Sequence, residues 1–221
     1  MNEAIRVKGL SKEYKMGAET VYALRGVDLD IEKGSLTAVV GTSGSGKSTL
    51  LHMIGCLDKP TAGDIFIGDT RITETTDKTL ARIRREKIGF VFQSFCLIGE
   101  LTVMENIMLP VLLSNRCPNR DHINELCDTL GLSGRTSHLP SQLSGGQQQR
   151  AAIARALAND PQIILCDEPT GNLDKGTSNE VIRLLKEVNQ KYGKTILIVT
   201  HDMDIAKQCG RIIEISDGKI I

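Results

Sequence analysis

An α/β fold is predicted, with a mainly parallel sheet, an antiparallel β portion ahead of it and a helical subdomain inserted within it. Three observations lead there. Leu36–Val40, Ile163–Cys166 and Thr195–Val199 are short and almost wholly apolar, as strands buried on both faces of a parallel sheet are. Helical periods lie between them: Val181, Leu184, Leu185 and Val188 mark one apolar face, and Ile123, Leu126, Cys127 and Leu130 another. The rhythm breaks in residues 3–40, which offer strand patterns and little helix. It breaks again from about 94 to 160, which read mainly as helix between strands Ile88–Phe92 and Gln162–Cys166. No repeat, low-complexity tract or linker divides residues 1–221, so one unit with two lobes is expected.

Composition sets the outer limits. Of 221 residues 40% are hydrophobic and only 3% aromatic, so aliphatic side chains must fill the core. The formal net charge is zero, which argues against a nucleic-acid partner. The cluster Arg82, Arg84, Arg85 and Lys87 reads as a solvated helix face. Six cysteines show neither CxxC nor zinc-like spacing, and Cys127 and Cys166 fall in apolar segments as small hydrophobes, a pattern suited to a reducing compartment. The N-terminal run Met1–Arg6 lacks a signal-peptide pattern. No apolar run approaches the roughly 20 residues that span a bilayer, so the chain is not expected to enter the membrane itself.

The chemistry begins after the first buried strand. Gly41-Thr42-Ser43-Gly44-Ser45-Gly46-Lys47-Ser48 matches G-x-x-x-x-G-K-[ST], and a helix from about Lys47 to Cys56 follows. Glycines let successive backbone N–H groups turn inward around phosphate oxygens, and the helix N-terminus adds its positive end. Lys47 can then reach the β- and γ-phosphates of ATP, the Ser48 hydroxyl can ligate Mg²⁺, and Thr49 continues the cradle. By accident this pattern would arise in roughly one chain of this size in a hundred, and its strand and helix flanks make accident rarer. A P-loop NTPase core is expected.

The strand Ile163–Cys166 ends in Asp167-Glu168, adjacent carboxylates at the ligand edge of an open α/β sheet. Such a pair is common where strands meet solvent, but beside a phosphate cradle it fits a division of labour. Asp167 would hold the Mg²⁺ shell, and Glu168 would polarise an attacking water as general base. His201 follows the third buried strand and is expected in the same crevice, at the γ-phosphate.

Leu143-Ser144-Gly145-Gly146-Gln147, continued by Gln148-Gln149-Arg150, resembles the signature motif of ABC ATPases. Chance would supply it in a few of roughly ten thousand chains. From its own chemistry, Ser144 is a helix N-cap and the glycines expose N–H groups to an anion. The resemblance covers essentially the whole chain, with every element in order. It implies the ABC ATPase fold as one ATP-binding domain, with Tyr14 stacked on adenine. It makes Gln93 the Q-loop glutamine, linking Mg²⁺ and the catalytic water to a membrane-facing lobe. Gly171-Asn172-Leu173-Asp174 becomes the D-loop, with Asp174 near the nucleotide, and His201 the switch histidine. In that family two ATP molecules lie head-to-tail between subunits, so Ser144, Gly145, Gly146 and Gln147 would act in trans.

Three stretches narrow the resemblance. Ile88–Phe95, Leu101–Ile107 and Asp167–Asp174, with the opening Tyr14…Val21–Val27, look like the MacB/LolD group. That group serves macrolide and peptide efflux, lipoprotein release and bacitracin-type resistance. The resemblance implies an ATPase powering a separate integral membrane permease of MacB/LolC type, peripheral on the cytoplasmic side of the membrane. It would act as a homodimer or paired with a related ATPase, with Glu100 and Leu101–Ile107 in the lobe that receives the permease. Thr42, Cys166, Gly99 and Cys96 depart from the group's usual residues, the last two near that coupling surface. An FtsE-like cell-division ATPase, signalling through a membrane partner without transport, is the alternative. Soluble relatives acting on DNA or ribosomes usually carry coiled-coil insertions or a second cassette, and neither is present here.

Overall fold

The computed structural model describes residues 2–17 and 19–221, so Met1 of the N-terminal run lies outside it. The chain opens with two long strands, β1 (Glu3–Met16) and β2 (Glu19–Glu32), paired antiparallel. Their register sets Ile5 against Ile31, Val7 against Leu29 and Leu10 against Val27, six buried aliphatics on one face. Strand β3 (Leu36–Val40), buried along its whole length, leads through the Gly-rich loop into α1 (Lys47–Ile54). Strands β4 (Ala62–Ile67) and β5 (Thr70–Arg71) then extend the first sheet in the order β2-β1-β4-β5.

Helix α2 (Asp77–Lys87) runs straight into β6 (Ile88–Phe92). The next stretch holds α3 (Val103–Leu112), α4 (Arg120–Thr129), a 3₁₀ turn at Pro140–Gln142 and α5 (Gly145–Leu157). After β7 (Ile163–Asp167) come α6 (Lys175–Tyr192), β8 (Thr195–Val199), α7 (Met203–Ala206), β9 (Arg211–Ser216) and β10 (Lys219–Ile220). The second sheet has the order β10-β9-β3-β8-β7-β6. From β9 to β6 it is parallel, and only β10 pairs antiparallel.

Strand alternation divides the core between the two faces of this sheet. Ile163, Leu165, Leu197 and Val199 point towards α1, where Leu50, Leu51, Met53 and Ile54 pack together with the buried face of the antiparallel sheet. Ile164, Cys166, Ile196 and Ile198 point the other way, onto α5, α6 and the helical stretch. Helix α1 is thus clamped between two sheets, which fixes the direction of its N-terminus.

Several details differ from the sequence expectations. Helix α1 stops at Ile54 rather than Cys56, with Gly55 at its C-cap. Strand β7 begins and ends one residue later than expected, because Asp167 pairs with both Phe92 and Val199. Residues 93–102 and 130–139 are loops and turns rather than helix. Side chains satisfy the first of these loops. Arg155 donates to the carbonyls of Phe95 and Cys96, and the buried Asn106 side chain bonds the backbone of Ile98 and Leu101. The basic run on α2 is not simply solvated either, since Arg84 donates to the Cys56 carbonyl at 2.7 Å. Cys127 and Cys166 are buried, as their apolar surroundings predict.

Candidate active site

A cleft of about 600 Å³ opens where β3, β7 and β8 end. Ser43, Gly44, Gly46, Lys47, Ser48 and Thr49 line one side, with Gln93, Glu168 and His201 opposite. The loop needs glycine where it passes close to neighbouring backbone, as Gly46 shows. Gly46 has φ 106°, and a Cβ there would run into the carbonyl of Ala23 on β2. Gly41 and Ser45 do not line the cleft but support the loop from behind through their backbone carbonyls. Gly41 supplies a carbonyl, and the buried Ser45 accepts the Gly218 N–H at its own carbonyl. Lys47, only 7% exposed, folds back to donate from Nζ to the Gly41 carbonyl at 2.9 Å and the Thr42 carbonyl at 2.8 Å. Those bonds hold a cation against the loop at the start of α1, an arrangement suited to an oligophosphate.

Ser48 Oγ donates to Asp167 Oδ1 at 2.9 Å, joining the end of the cradle to the end of β7. A hydroxyl and one carboxylate are hard oxygen donors of the kind Mg²⁺ takes when phosphates and water complete its shell. No three acidic, His or Cys side chains among the described residues converge to hold a metal unaided. His52, one turn after Ser48 on α1, brings Nε2 to 3.7 Å from Asp167 Oδ2.

Glu168 follows Asp167 with φ 46°, in the left-handed region, which costs a non-glycine residue on the order of 1–2 kcal/mol. Two bonds hold it there. Its N–H donates to the Val199 carbonyl at 2.9 Å, and its own carbonyl accepts from Gly171 N–H at 3.0 Å. The turn swings the carboxylate off the sheet and into the cleft, where Oε1 lies 2.9 Å from His201 Nδ1. Gln93 is gripped at both ends by Asn172. Its Nε2 donates to Asn172 Oδ1 at 3.1 Å, and its carbonyl accepts from Asn172 Nδ2 at 3.0 Å. Asn172 stands inside the Gly171–Asp174 string, and nothing in the sequence marks it as the partner of Gln93.

Tyr14 does not line the cleft; Val21, Tyr22 and Ala23 do. Tyr14 pairs with Val21 on the adjacent strand. Its hydroxyl donates to Asp58 Oδ2 at 3.0 Å, and Lys12 Nζ sits 4.8 Å above its ring and 2.8 Å from the same carboxylate. Burial and the neighbouring Asp58 both raise the phenol's pKa. Burial works against ionised Asp58, but donors from Lys12, Lys59 and Tyr14 outweigh it and hold that carboxyl below its usual range. Tyr22 carries no sequence signal that would have separated it from a packing aromatic.

The signature residues also lie outside the cleft. Ser144 caps α5, accepting from Gln147 N–H at 3.3 Å while Gln147 Oε1 accepts the Ser144 N–H at 3.0 Å. Gly145 is partly exposed, and Gly146 is pressed against Thr177, where a Cβ would not fit. Asp174 caps α6, accepting from Thr177 N–H at 3.0 Å and Thr177 Oγ1 at 2.6 Å, and those bonds hold its carboxyl below the usual range.

A parallel sheet with a P-loop cradle, an Asp-Glu pair and a histidine at its ligand edge defines a nucleoside triphosphatase of the P-loop class. The family profile described as ABC transporter matches residues 24–171, and the chain belongs to that family. It is 49% identical to MJ0796, an uncharacterized ABC transporter ATP-binding protein of Methanocaldococcus jannaschii, over 98% of this chain and 94% of that one. It is 47% identical to the macrolide export ATP-binding/permease protein MacB of Escherichia coli over its whole length, but spans only 34% of MacB. The dimeric structure of MJ0796 in a post-hydrolysis state with ADP and Pi superposes with a TM-score of 0.89 at 47% identity, covering 98% of this chain and 96% of that one. The protein is therefore an ATP-binding, ATP-hydrolysing cassette of the MacB-like group. None of its described helices is long and apolar enough to cross a membrane.

Proposed function

We propose that residues 1–221 act as one domain that hydrolyses ATP as a dimer, peripheral on the cytoplasmic side of a membrane. There they would drive a separate MacB/LolC-type permease, in export or extraction of a peptide, lipoprotein or antibiotic. One observation carries the dimer: the cleft is lined by the cradle, Glu168, Gln93 and His201, with Asp167 joined to it through Ser48, but by nothing of Ser144–Gln147. A second copy, presenting its capped α5 N-terminus, would close the open side of the nucleotide. The MJ0796 structures are described as dimeric, which supports this arrangement.

Within each site Lys47 would leave its two carbonyls for the β- and γ-phosphates. Ser48 and Asp167, with Gln93 beside them, would hold Mg²⁺, which when bound screens the phosphate charge. Glu168 would orient and deprotonate the attacking water, His201 would keep that carboxylate aimed and meet the γ-phosphate, and Tyr14, outside the cleft wall but in contact with its Thr49, would stack on an adenine that extends past that residue. Residues 94–160 would form the lobe that meets the permease through Glu100 and Leu101–Ile107.

The test is Glu168→Gln with ATP and Mg²⁺ on size exclusion with light scattering. The amide keeps the geometry but cannot take a proton, so hydrolysis should fall at least about a hundredfold and a nucleotide-bound dimer should accumulate. A protein that turns over normally, or that stays monomeric with ATP bound, overturns the proposal.

A further inference from the structure

One buried polar side chain belongs to none of the roles above. Gln149 lies on α5, one and a half turns after the Ser144 cap, and is 0% exposed. Its Nε2 donates to the Pro169 carbonyl at 2.5 Å and approaches the Phe92 carbonyl at 3.4 Å. Pro169 directly follows Glu168, and Phe92 directly precedes Gln93. One amide thus touches the backbone neighbours of both the general base and the Q-loop glutamine, from the helix whose N-terminus is the signature motif.

We infer that Gln149 is a positioning residue through which the signature helix of a subunit sets the catalytic geometry of that same subunit's own P-loop cleft. The inference rests on the proposed dimer, in which Ser144–Gly146 engage the nucleotide held by the partner. That engagement pulls on the N-terminus of α5, and a helix moves as a rigid rod. Gln149 then carries the displacement to Pro169 and Phe92. Glu168 is susceptible to it, since it stands in a left-handed conformation maintained by its bonds to Val199 and Gly171. Gln93 receives it as well, because Asn172 ties Gln93 to the segment after Pro169.

The other half of the amide agrees with a movable coupling. Gln149 Oε1 is buried and accepts no hydrogen bond. A buried acceptor left unpaired disfavours the arrangement that contains it, so a small shift of α5 that gives Oε1 a donor has a built-in gain. The consequence is communication between the two nucleotide sites of a dimer: occupancy of one is felt at the general base of the other.

Gln149→Met keeps the length and volume of the side chain but removes the donor. Its ATPase rate should fall about five- to tenfold, the lower range for coupling between sites, and its ATP dependence should become hyperbolic, against the sigmoidal dependence that the proposed dimer predicts for the parent. ATP affinity measured on the monomer with a fluorescent analogue should stay within about twofold, since the residue lies outside the cleft. Gln149→Asn keeps the amide but cannot span to both carbonyls; it should show the same loss and serves if the methionine variant does not fold. Parent-like rate and sigmoidicity in the folded variant overturn the inference. Equal loss of rate and monomer affinity also overturns it, because that marks general damage. The dimer reading is scored separately, by combining Gln149→Met with Glu168→Gln. An ATP-stabilised dimer in the double variant, with the kinetic loss above, supports the inference. Absence of that dimer in Glu168→Gln alone shows that the dimer reading has failed, and the inference with it.

Discussion

At Lys47 a charged side chain is kept 7% exposed because two loop carbonyls, of Gly41 and Thr42, accept its protons. Neutral thiols are buried at lower cost, and they give a residue-scale prediction. Desolvation pushes Cys56, Cys127 and Cys209 each up to about 11 from an ordinary value of 9.0. It pushes Cys166 up as well, and Cys209 and Asp167 add smaller effects in the same direction. In the folded protein these groups hold their protons where the unfolded chain would have released them. Their contribution to stability is therefore intact below pH 9 and lost as pH rises towards 11. A thermal denaturation series should show the melting temperature falling across that interval. Alkylation by iodoacetamide at pH 8 should modify the exposed Cys96 and Cys117 but reach Cys56, Cys127 and Cys166 only after unfolding. Rapid labelling of Cys166 in the native protein would contradict its burial beside Asp167.

At the scale of elements, each site residue is aimed by a helix or strand whose packing is ordinary. Helix α6 carries Asp174 at its cap and buries Val181, Ile182, Leu184, Leu185 and Val188 against the sheet. Leu185 is 0% exposed, so Leu185→Ala removes a well-packed side chain and should cost about 2–5 kcal/mol. Urea unfolding should show a lower midpoint at unchanged slope, and a shift under about 0.5 kcal/mol would mean that α6 is held by something other than this face. The buried strands and amphipathic helices were legible in sequence because their side chains repeat at fixed periods. The 93–102 loop was not, because it is stabilised from a distance. Arg155 and Asn106 lie far along the chain or on the next helix, and no local pattern announces which backbone carbonyls they will reach.

For the whole molecule, the proposed dimer gives each chain one half of two sites, a cradle on one edge and a capped signature helix on another. Ser144→Arg places a bulky cation where the cap would face nucleotide and should abolish hydrolysis while leaving ATP binding to the monomer. Lys47→Ala should lose ATP binding and hydrolysis together, since the cradle loses its cation. Mixed together, the two inactive proteins should recover turnover. In the heterodimer the intact cradle of the first faces the intact signature of the second, forming at most one working site. A mixture as inactive as its components would argue against sites shared between subunits, and so would full activity, since only one intact site can form.

From the sequence alone came the P-loop, the Asp167-Glu168 pair, His201 and the signature. Each is a short contiguous string whose spacing is dictated by backbone geometry around phosphate and by the edge of a parallel sheet. The antiparallel portion and the parallel core were likewise readable from period and composition. Tertiary structure decided what depends on pairs remote in sequence. It placed Tyr22 rather than Tyr14 on the cleft wall, bound Tyr14 to Asp58, gripped Gln93 with Asn172, and turned Gln149 inward between Phe92 and Pro169. Those choices follow from how two sheets close on α1 and how α5 packs on the parallel sheet, and such long-range packing leaves no signature in any single stretch of the chain.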